Sequence, residues 1–288
     1  MSQNHSVGES WDLEIKPRAN FFDLNLKEIW RYRDLLLLFV RRDFVAQYKQ
    51  TILGPLWHII QPVFTTIVFL IVFNGFANIG TGNVPPILFY ISSIAIWNYF
   101  AACFTTTSAT FINNASIFGK VYFPRLILPL SVIISNLFRF FIQLILVIVM
   151  IVYWTMFKGY RLPVTALWLY IPLFAILMGL MGLGLGIIIS SLTTKYRDFT
   201  ILITFGVQLL MYVTPIAYPL SFLQNKNYAW IGTINPLTPV VEGFRHILFD
   251  TTDYNYYSLV YSILFTIAVL MGGILIFHRV EKTFMDTV

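Results

Sequence analysis

The chain has few charged residues for its length. Only 11% of its 288 residues are Asp, Glu, Lys or Arg, whereas soluble domains contain about a quarter. No charged residue occurs from position 51 to position 119, a run of 69 residues. Apolar residues make up 58% of the chain, and the mean hydropathy is +0.74. This composition excludes an ordinary soluble domain and predicts an integral membrane protein.

Cysteine, clustered histidine and nucleotide-binding loops are also missing or scarce. The single cysteine, Cys103, excludes an intrachain disulfide framework. The four histidines are scattered along the sequence, so we expect no metal site. No Gly-x-x-x-x-Gly-Lys-Ser/Thr loop is present, so this chain does not bind ATP by that route. The charged first 50 residues lack a short apolar core with a cleavage site, and we expect no secretory signal there.

Acidic residues are absent from every stretch that could span a membrane. A membrane-embedded enzyme or an ion-coupled transporter usually places ionisable groups at that level, so both classes are disfavoured. The loop near residues 221–257 offers only Glu242, Asp250 and Asp253, too few for paired-carboxylate chemistry. Because Glu242 and Arg245 are three residues apart, we expect them to form an ordinary pair on a helix surface.

Six stretches are long and apolar enough to cross a bilayer as helices. A spanning helix needs roughly 20 mostly apolar residues, and Trp and Tyr near several of the ends fit the two membrane interfaces. We therefore predict an all-α integral membrane fold whose transmembrane domain occupies residues 51–288. The predicted spans are residues 56–77, 87–109, 127–153, 167–192, 199–220 and 258–278.

Basic residues are unequally distributed between the two sides of these spans. The N-terminal segment, the loops after the second and fourth spans and the C-terminal tail carry 14 of the 19 Lys and Arg residues. The opposite loops carry four. By the positive-inside rule, both termini are predicted to be cytoplasmic. The net charge of +6 is therefore a topology signal, and we expect no nucleic-acid partner.

An amphipathic helix is predicted over residues 24–50, after an N-terminal cytoplasmic tail of residues 1–23. Asn25 and Glu28 resemble a capping box. A helix of this kind lies in the membrane interface with its apolar side towards the acyl chains. Its cationic residues Arg41, Arg42 and Lys49 would then lie near lipid headgroups. The predicted apolar face consists of Leu26, Ile29, Trp30, Leu37, Val40, Phe44 and Tyr48.

Between the fifth and sixth spans, residues 231–249 are largely apolar but too short to cross the membrane. Asn235-Pro236 and Thr238-Pro239 interrupt them. This pattern predicts a pair of short re-entrant or interfacial helices. In the fourth span, Gly182 and Gly186 form a small-xxx-small pair, which predicts close helix packing.

Arg139 is the one charged residue inside a predicted span. It lies fourteen residues beyond Arg125, so we expect it roughly 21 Å along the helix, near mid-depth. An intramembrane charge often faces a functional cavity. The alternative is an arginine bonded to carbonyl groups or to Asn136 and Gln143 on the neighbouring turns.

Aromatic residues make up 17% of the chain. Aromatic faces can stack on sugar C–H surfaces without selecting one sugar, which would suit a sliding polysaccharide. For any single aromatic residue, lipid contact or internal packing is the simpler interpretation. With Arg139, the candidates for a channel lining are Phe64, Phe69, Phe73, Tyr90, Trp97, Phe100, Tyr212 and Tyr218.

Five motifs in order resemble the permease subunits of type-2 ABC exporters, in the branch that exports O-antigen, capsule or teichoic-acid chains. The matches run from about residue 24 to residue 250, and the first 20 residues carry none. The motifs are Arg42 to Tyr48 with Leu53-Gly54-Pro55-Leu56-Trp57; Asn113-Asn114 with Lys120-Val121-Tyr122-Phe123-Pro124-Arg125; Tyr196-Arg197-Asp198; Thr214-Pro215 with Tyr218-Pro219; and Asn235-Pro236-Leu237-Thr238-Pro239 with Phe244-Arg245.

The resemblance implies a homodimer with two cytoplasmic ABC ATPase subunits, which would bind the ATP and Mg²⁺. It implies export of a polyprenyl-linked glycan across a bacterial cytoplasmic membrane. Arg41, Arg42 and Lys49 could meet the pyrophosphate of that lipid, or could simply anchor the helix to lipids. The segment resembling the family's coupling helix would contact the ATPase through Asn113, Asn114, Lys120, Tyr122, Phe123, Pro124 and Arg125.

Two alternatives stay open at this point. One is an ABC exporter permease for small hydrophobic molecules; the re-entrant outer segment and the long interfacial helix, both typical of the polysaccharide branch by resemblance, disfavour it. The other is a membrane-bound glycosyltransferase or acyltransferase, which would need an Asp-rich or His-based catalytic set. The predicted spans contain no such set.

Overall fold

The protein is built from helices and connecting turns. The computed structural model describes residues 26–49, 51–118, 123–161, 165–193, 196, 198–224, 228–251 and 254–284, and none of these residues forms a β-strand. This confirms the predicted all-α membrane fold. The helices are α1 (Leu26–Arg31), α2 (Arg33–Tyr48), α3 (Trp57–Phe69), α4 (Pro86–Ser108), α5 (Thr110–Asn113), α6 (Ala115–Phe118), α7 (Ile127–Lys158), α8 (Ile171–Thr193), α9 (Phe199–Val213), α10 (Leu220–Gln224), α11 (Ala229–Ile234), α12 (Thr238–Phe249) and α13 (Tyr256–Phe284).

Among the described residues, five helical stretches are long and apolar enough to cross a membrane. Two of these stretches combine a long helix with shorter helical turns. A 3₁₀ turn at Gly54–Leu56 and a π-helical turn at Leu70–Phe76 extend α3, and a 3₁₀ turn at Ala166–Tyr170 precedes α8. Helix α7 continues five residues beyond the predicted end of its span. The five are Gly54–Phe76, Pro86–Ser108, Ile127–Lys158, Ala166–Thr193 and Tyr256–Phe277.

The predicted fifth span is shorter than expected. Its helix, α9, has 15 residues and ends at Val213, which gives a length of about 22 Å against a hydrocarbon thickness of about 30 Å. The helix ends there because Thr214 adopts an extended conformation ahead of Pro215. Residues 214–218 are consequently not helical. The count of six spans therefore stays a prediction.

The amphipathic segment forms two helices, since a turn at Tyr32 separates α1 from α2. Its packed face also differs from the predicted one. Phe39 and Val40 are buried, whereas Trp30 and Leu37 are mainly exposed. The difference arises because α2 packs against α7, so the buried side of α2 is the one that carries Phe39. Leu26 was expected on the same face, but its side chain lies outside the described set.

The centre of the protein is the pair α4 and α8. α4 packs most extensively on α8 and also contacts α3, α7, α9 and α12. Glycines on α8 make this possible, as predicted: a Cβ on Gly186 would lie 2.5 Å from Thr107 Cβ, and one on Gly182 would lie 2.9 Å from Cys103 Cβ. These distances are too short for any side chain. The two backbones are therefore in direct contact.

The predicted pair of short helices between the last two long helices is present as α11 and α12, which are separated at residues 235–237. Tyr261 and Ser262 connect α13 to this break. Their hydroxyl groups donate hydrogen bonds to the carbonyl oxygens of Ile234 (2.8 Å) and Pro236 (2.7 Å). Most of α12 is buried. It is therefore part of the packed core and not a solvated loop.

The prediction of a surface ion pair on α12 is wrong. Arg245 is 1% exposed, and its guanidinium group pairs with Glu242 in the interior. It also donates a hydrogen bond to Ser93 Oγ of α4 (3.2 Å) and lies 4.1 Å from the centre of the Phe89 ring. Glu242 in turn accepts a hydrogen bond from the backbone N–H of Leu220 (3.1 Å). The pair thus ties α12 to α4 and α10.

Candidate functional site

A polar cavity of about 390 Å³ lies where α2, the end of α4, the short helices α5 and α6 and the first half of α7 meet. Ten of its fourteen lining residues are polar or charged, although the surrounding helices are apolar. The cavity brings together residues from both the interfacial helix and the segment resembling the coupling helix. Its lining consists of Arg42, Asp43, Ala46, Thr106, Thr110, Asn113, Asn114, Ile117, Leu128, Ser131, Val132, Ser135, Asn136 and Arg139.

Arg42 connects the interfacial helix to the coupling segment. Its guanidinium group forms an ion pair with Asp43 (2.8 Å) and donates a hydrogen bond to Asn114 Oδ1 (3.2 Å). The same group lies 4.8 Å from the centre of the Phe39 ring. Asn114 is oriented for this contact because its amide Nδ2 donates to the carbonyl oxygen of Thr110 (2.9 Å). Arg42 is therefore half-buried and bonded to other residues of the chain, whereas Arg41 and Lys49 are exposed.

The coupling segment is partly an internal structure. Phe123, Pro124 and Arg125 are buried, and the Phe123 ring packs against Phe39 of α2 with a centroid distance of 5.7 Å. Burial prevents these three residues from offering a surface to another protein, so the prediction that they contact an ATPase is wrong. Asn113 is exposed. Lys120 and Tyr122 lie outside the described residues.

Arg139 faces the cavity and is not satisfied by its own helix. Among the described residues it has no hydrogen bond, and Asn136 Oδ1 and Gln143 Oε1 have no hydrogen-bond partner either. The arrangement in which these side chains hold Arg139 is therefore not observed. The neighbouring Phe138 contacts Phe44 of α2 (6.3 Å between ring centroids), and the mid-depth position of Arg139 stays a prediction.

Tyr48 is close enough to Arg139 for their charges to interact. Burial raises the pKa of the Tyr48 phenol above its ordinary value, and the positive charge of Arg139 opposes that shift. The phenol is therefore neutral at physiological pH and its hydroxyl group keeps its proton. This hydroxyl group has no hydrogen-bond partner among the described residues.

The candidate aromatic residues divide into two groups. Phe69, Tyr90, Trp97 and Phe100 are at most 5% exposed and belong to the apolar core, so the prediction that they line a channel is wrong. Packing of α4 on α8 and α3 explains their burial. Phe64 and Tyr212 are more than half exposed, and Phe73 and Tyr218 are half-buried. These four stay predicted channel residues.

Sequence reasoning missed most of the cavity, although one signal was present. Ser131, Ser135 and Arg139 recur every four residues along α7 and therefore lie on one face of the helix. A polar stripe on an otherwise apolar span indicates a cavity or a buried polar contact. The link between Arg42 and Asn114 had no such signal, because 72 residues separate the two side chains.

The link between Arg42 and Asn114 predicts a measurable energetic coupling. In a double-mutant cycle with Arg42→Ala and Asn114→Ala, the coupling should stabilise the protein by about 1 kcal/mol, because a partly buried, charge-assisted hydrogen bond is lost. Thermal unfolding of the purified protein measures it. Arg41→Ala is the matched control, and its effect should be additive with that of Asn114→Ala. Additivity for Arg42 as well would contradict the link.

The helices and their hydropathy define a multi-pass, all-α membrane protein. Residues 34–249 match the ABC-2 type transporter family. Since this match covers most of the chain, the protein belongs to the ABC-2 type transporter family. The family is one of transporter subunits and not of enzymes, and it implies an ABC ATPase partner.

Individual relatives support the same class. The chain is 29% identical over 254 and 256 residues to two Klebsiella pneumoniae proteins named O-antigen export system permease protein RfbA; each alignment covers 88% of this chain and 94% of the relative. It is 23% identical over 226 residues to a Myxococcus xanthus protein of the same name, with 78% and 84% covered.

Proposed function

We propose that this chain is the transmembrane subunit of an ATP-driven exporter that moves a polyprenyl-linked polysaccharide, such as an O-antigen, across the bacterial cytoplasmic membrane. The observation that carries the proposal is the match to O-antigen export permeases along nearly their whole length. The pair of short helices α11 and α12, with α12 mostly buried, and the predicted interfacial helix support this branch over an exporter of small hydrophobic molecules.

The proposed assembly is a homodimer of this chain with two cytoplasmic ABC ATPase subunits. ATP and Mg²⁺ would be bound by those subunits, which agrees with the missing phosphate-binding loop in this sequence. Both termini would be cytoplasmic, as the distribution of basic residues favours. The exposed Asn113, near the link between Arg42 and Asn114, would be part of the surface that meets an ATPase.

Deletion of the gene tests the proposed function. We expect surface polysaccharide to disappear while lipid-linked glycan accumulates on the cytoplasmic side, and a plasmid copy of the gene should reverse both effects. If lipid-linked glycan is absent from the deletion strain, the chain takes part in synthesis. If the glycan phenotype is normal, another cargo is exported, such as small hydrophobic molecules.

The exposed cations of the interfacial helix are proposed to meet the pyrophosphate of the cargo. Because Arg42 is bonded to other residues of the chain, Arg41→Ala with Lys49→Ala is the informative variant. We expect several-fold slower export at normal protein level, measured as surface glycan per permease. Lys158→Ala removes one exposed charge at the far end of α7 and is the control. Export at the wild-type rate in the double variant would leave only lipid anchoring for these residues.

A further inference from the structure

Arg139 forms no hydrogen bond or close ion pair among the described residues, although the Asp43 carboxylate is near enough to interact with its charge. No described carboxylate lies within ion-pair distance of its guanidinium group, and none of its hydrogen-bond donors is used. It lies twelve residues from the start of α7, or about 18 Å along the helix, and its side chain is half-buried. A guanidinium group at such a position needs water or an anion to satisfy its donors.

The groups beside Arg139 are also incompletely satisfied. Ser135 is 6% exposed and Asn136 is 2% exposed, both side chains line the cavity, and Ser135 Oγ and Asn136 Oδ1 have no hydrogen-bond partner. The Tyr48 hydroxyl group near Arg139 is unpartnered too. A hydroxyl group can rotate to donate, and an amide can turn to present its NH₂ group. Arg139, Ser135 and Asn136, which line the same cavity, can thus donate hydrogen bonds into it.

The charge balance of the cavity favours an anion. Arg42 is neutralised by Asp43 at 2.8 Å, so these two lining residues contribute no net charge, and Arg139 leaves an excess of one positive charge. The volume of about 390 Å³ corresponds to about thirteen water molecules at roughly 30 Å³ each. A small hydrated anion therefore fits without displacing any helix.

We propose that this cavity is a phosphate-binding site in which Arg139 is the main ligand, supported by Ser135 and Asn136. A guanidinium group matches the geometry of phosphate oxygens with two parallel hydrogen bonds. The cavity adjoins α2, which is predicted to lie in the membrane interface, where lipid phosphates are the abundant anions. The phosphate group would belong to a lipid headgroup or to a free phosphate ion. This site is separate from the exposed Arg41 and Lys49, and it does not depend on the nature of the cargo.

The position of the site gives its occupancy a consequence. Arg42, Asn113 and Asn114 line the same cavity, and Arg42 holds Asn114. An anion bound at Arg139 would compete with Asp43 for Arg42 and so act on the contact between the interfacial helix and the coupling segment. Lipid composition would then influence the transporter through this contact.

Binding can be tested on the full-length protein purified in dodecyl maltoside, a detergent without phosphate. Two probes distinguish the two sources: sodium pyrophosphate for a free anion, and dioleoyl phosphatidylglycerol for a lipid headgroup. Thermal unfolding is followed as each probe is titrated, since a ligand of the native state raises the midpoint by mass action. We expect a saturable rise with at least one probe. In Arg139→Gln the concentration needed for half the rise should increase at least tenfold.

Two further variants keep the test decisive. Ser135→Asp places a carboxylate four residues before Arg139, at the spacing of a helical ion pair, so it should abolish the rise while leaving the unliganded protein at least as stable as the wild type. Arg33→Gln removes an exposed arginine from α2 and should respond within twofold of the wild type. If Arg139→Gln loses only the response to the lipid, the site binds a headgroup. If Arg139→Gln loses the response to pyrophosphate, the site binds a free anion. If neither probe stabilises the wild type, or if Ser135→Asp still responds fully, the cavity holds only water and the proposal is wrong.

Discussion

Replacing Arg245 by Met should destabilise the protein by about 3 kcal/mol, because the substitution leaves the Glu242 carboxylate, which is only 22% exposed, without its partner. The hydrogen bond to Ser93 and the contact with the Phe89 ring are lost as well. Thermal unfolding of the purified protein should show a midpoint lower by on the order of 10 °C. Since Arg245 connects α12 to α4, export should fail together with folding.

Three controls separate this pair from an ordinary surface ion pair. Arg33→Met breaks an exposed contact with Asp34 (3.9 Å) and should cost no more than about 0.5 kcal/mol. Arg245→Lys keeps the charge but loses the planar fork, so we expect an intermediate loss. Adding Glu242→Gln to Arg245→Met removes the unpaired charge and should restore part of the stability. If Arg245→Met unfolds at the same temperature as Arg33→Met, the buried pair does not fasten α12.

Gly186→Ala should destabilise the protein by about 1–3 kcal/mol, the usual cost of overpacking. The added Cβ would lie 2.5 Å from Thr107 Cβ and 3.1 Å from the carbonyl oxygen of Phe104, so α8 and α4 must separate. Because the rest of α4 is anchored on both sides, separation disturbs the whole core. Gly186→Leu should prevent accumulation of the folded protein, which detergent-soluble yield and thermal unfolding measure.

The same substitution at another helical glycine should have the opposite sign. A Cβ on Gly272 of α13 meets no atom within 4 Å, so Gly272→Ala should stabilise the protein by up to about 1 kcal/mol through helix propensity alone. An equal destabilisation at both positions would mean that backbone freedom, and not contact between α4 and α8, governs Gly186.

The sequence was sufficient to predict the features that depend on composition and local pattern. Long uncharged runs gave the membrane class and five of the long helices, and Asn235-Pro236 gave the break between α11 and α12. The spacing of Gly182 and Gly186 gave the close contact of α8. These signals are local, because the bilayer acts on each segment separately.

Predictions that depended on which side of a helix is packed were less successful. Tyr90 and Phe100 were candidates for a channel, but α4 is surrounded by other helices and leaves no such face open. Arg245 looks like a surface residue from its distance to Glu242, and only its contacts with α4 show that it is internal. Burial of this kind follows from tertiary neighbours, which local periodicity does not encode.

The central claim is that this chain carries out ATP-driven export of a lipid-linked glycan, together with an ATPase partner. The most direct measurement uses proteoliposomes with the ATPase facing outwards and labelled polyprenyl-linked glycan in the outer leaflet. We expect the glycan to become protected from an external glycosidase only when both subunits and ATP are present. Protection without ATP or without this chain, or a change in glycan length in place of its movement, would contradict the claim.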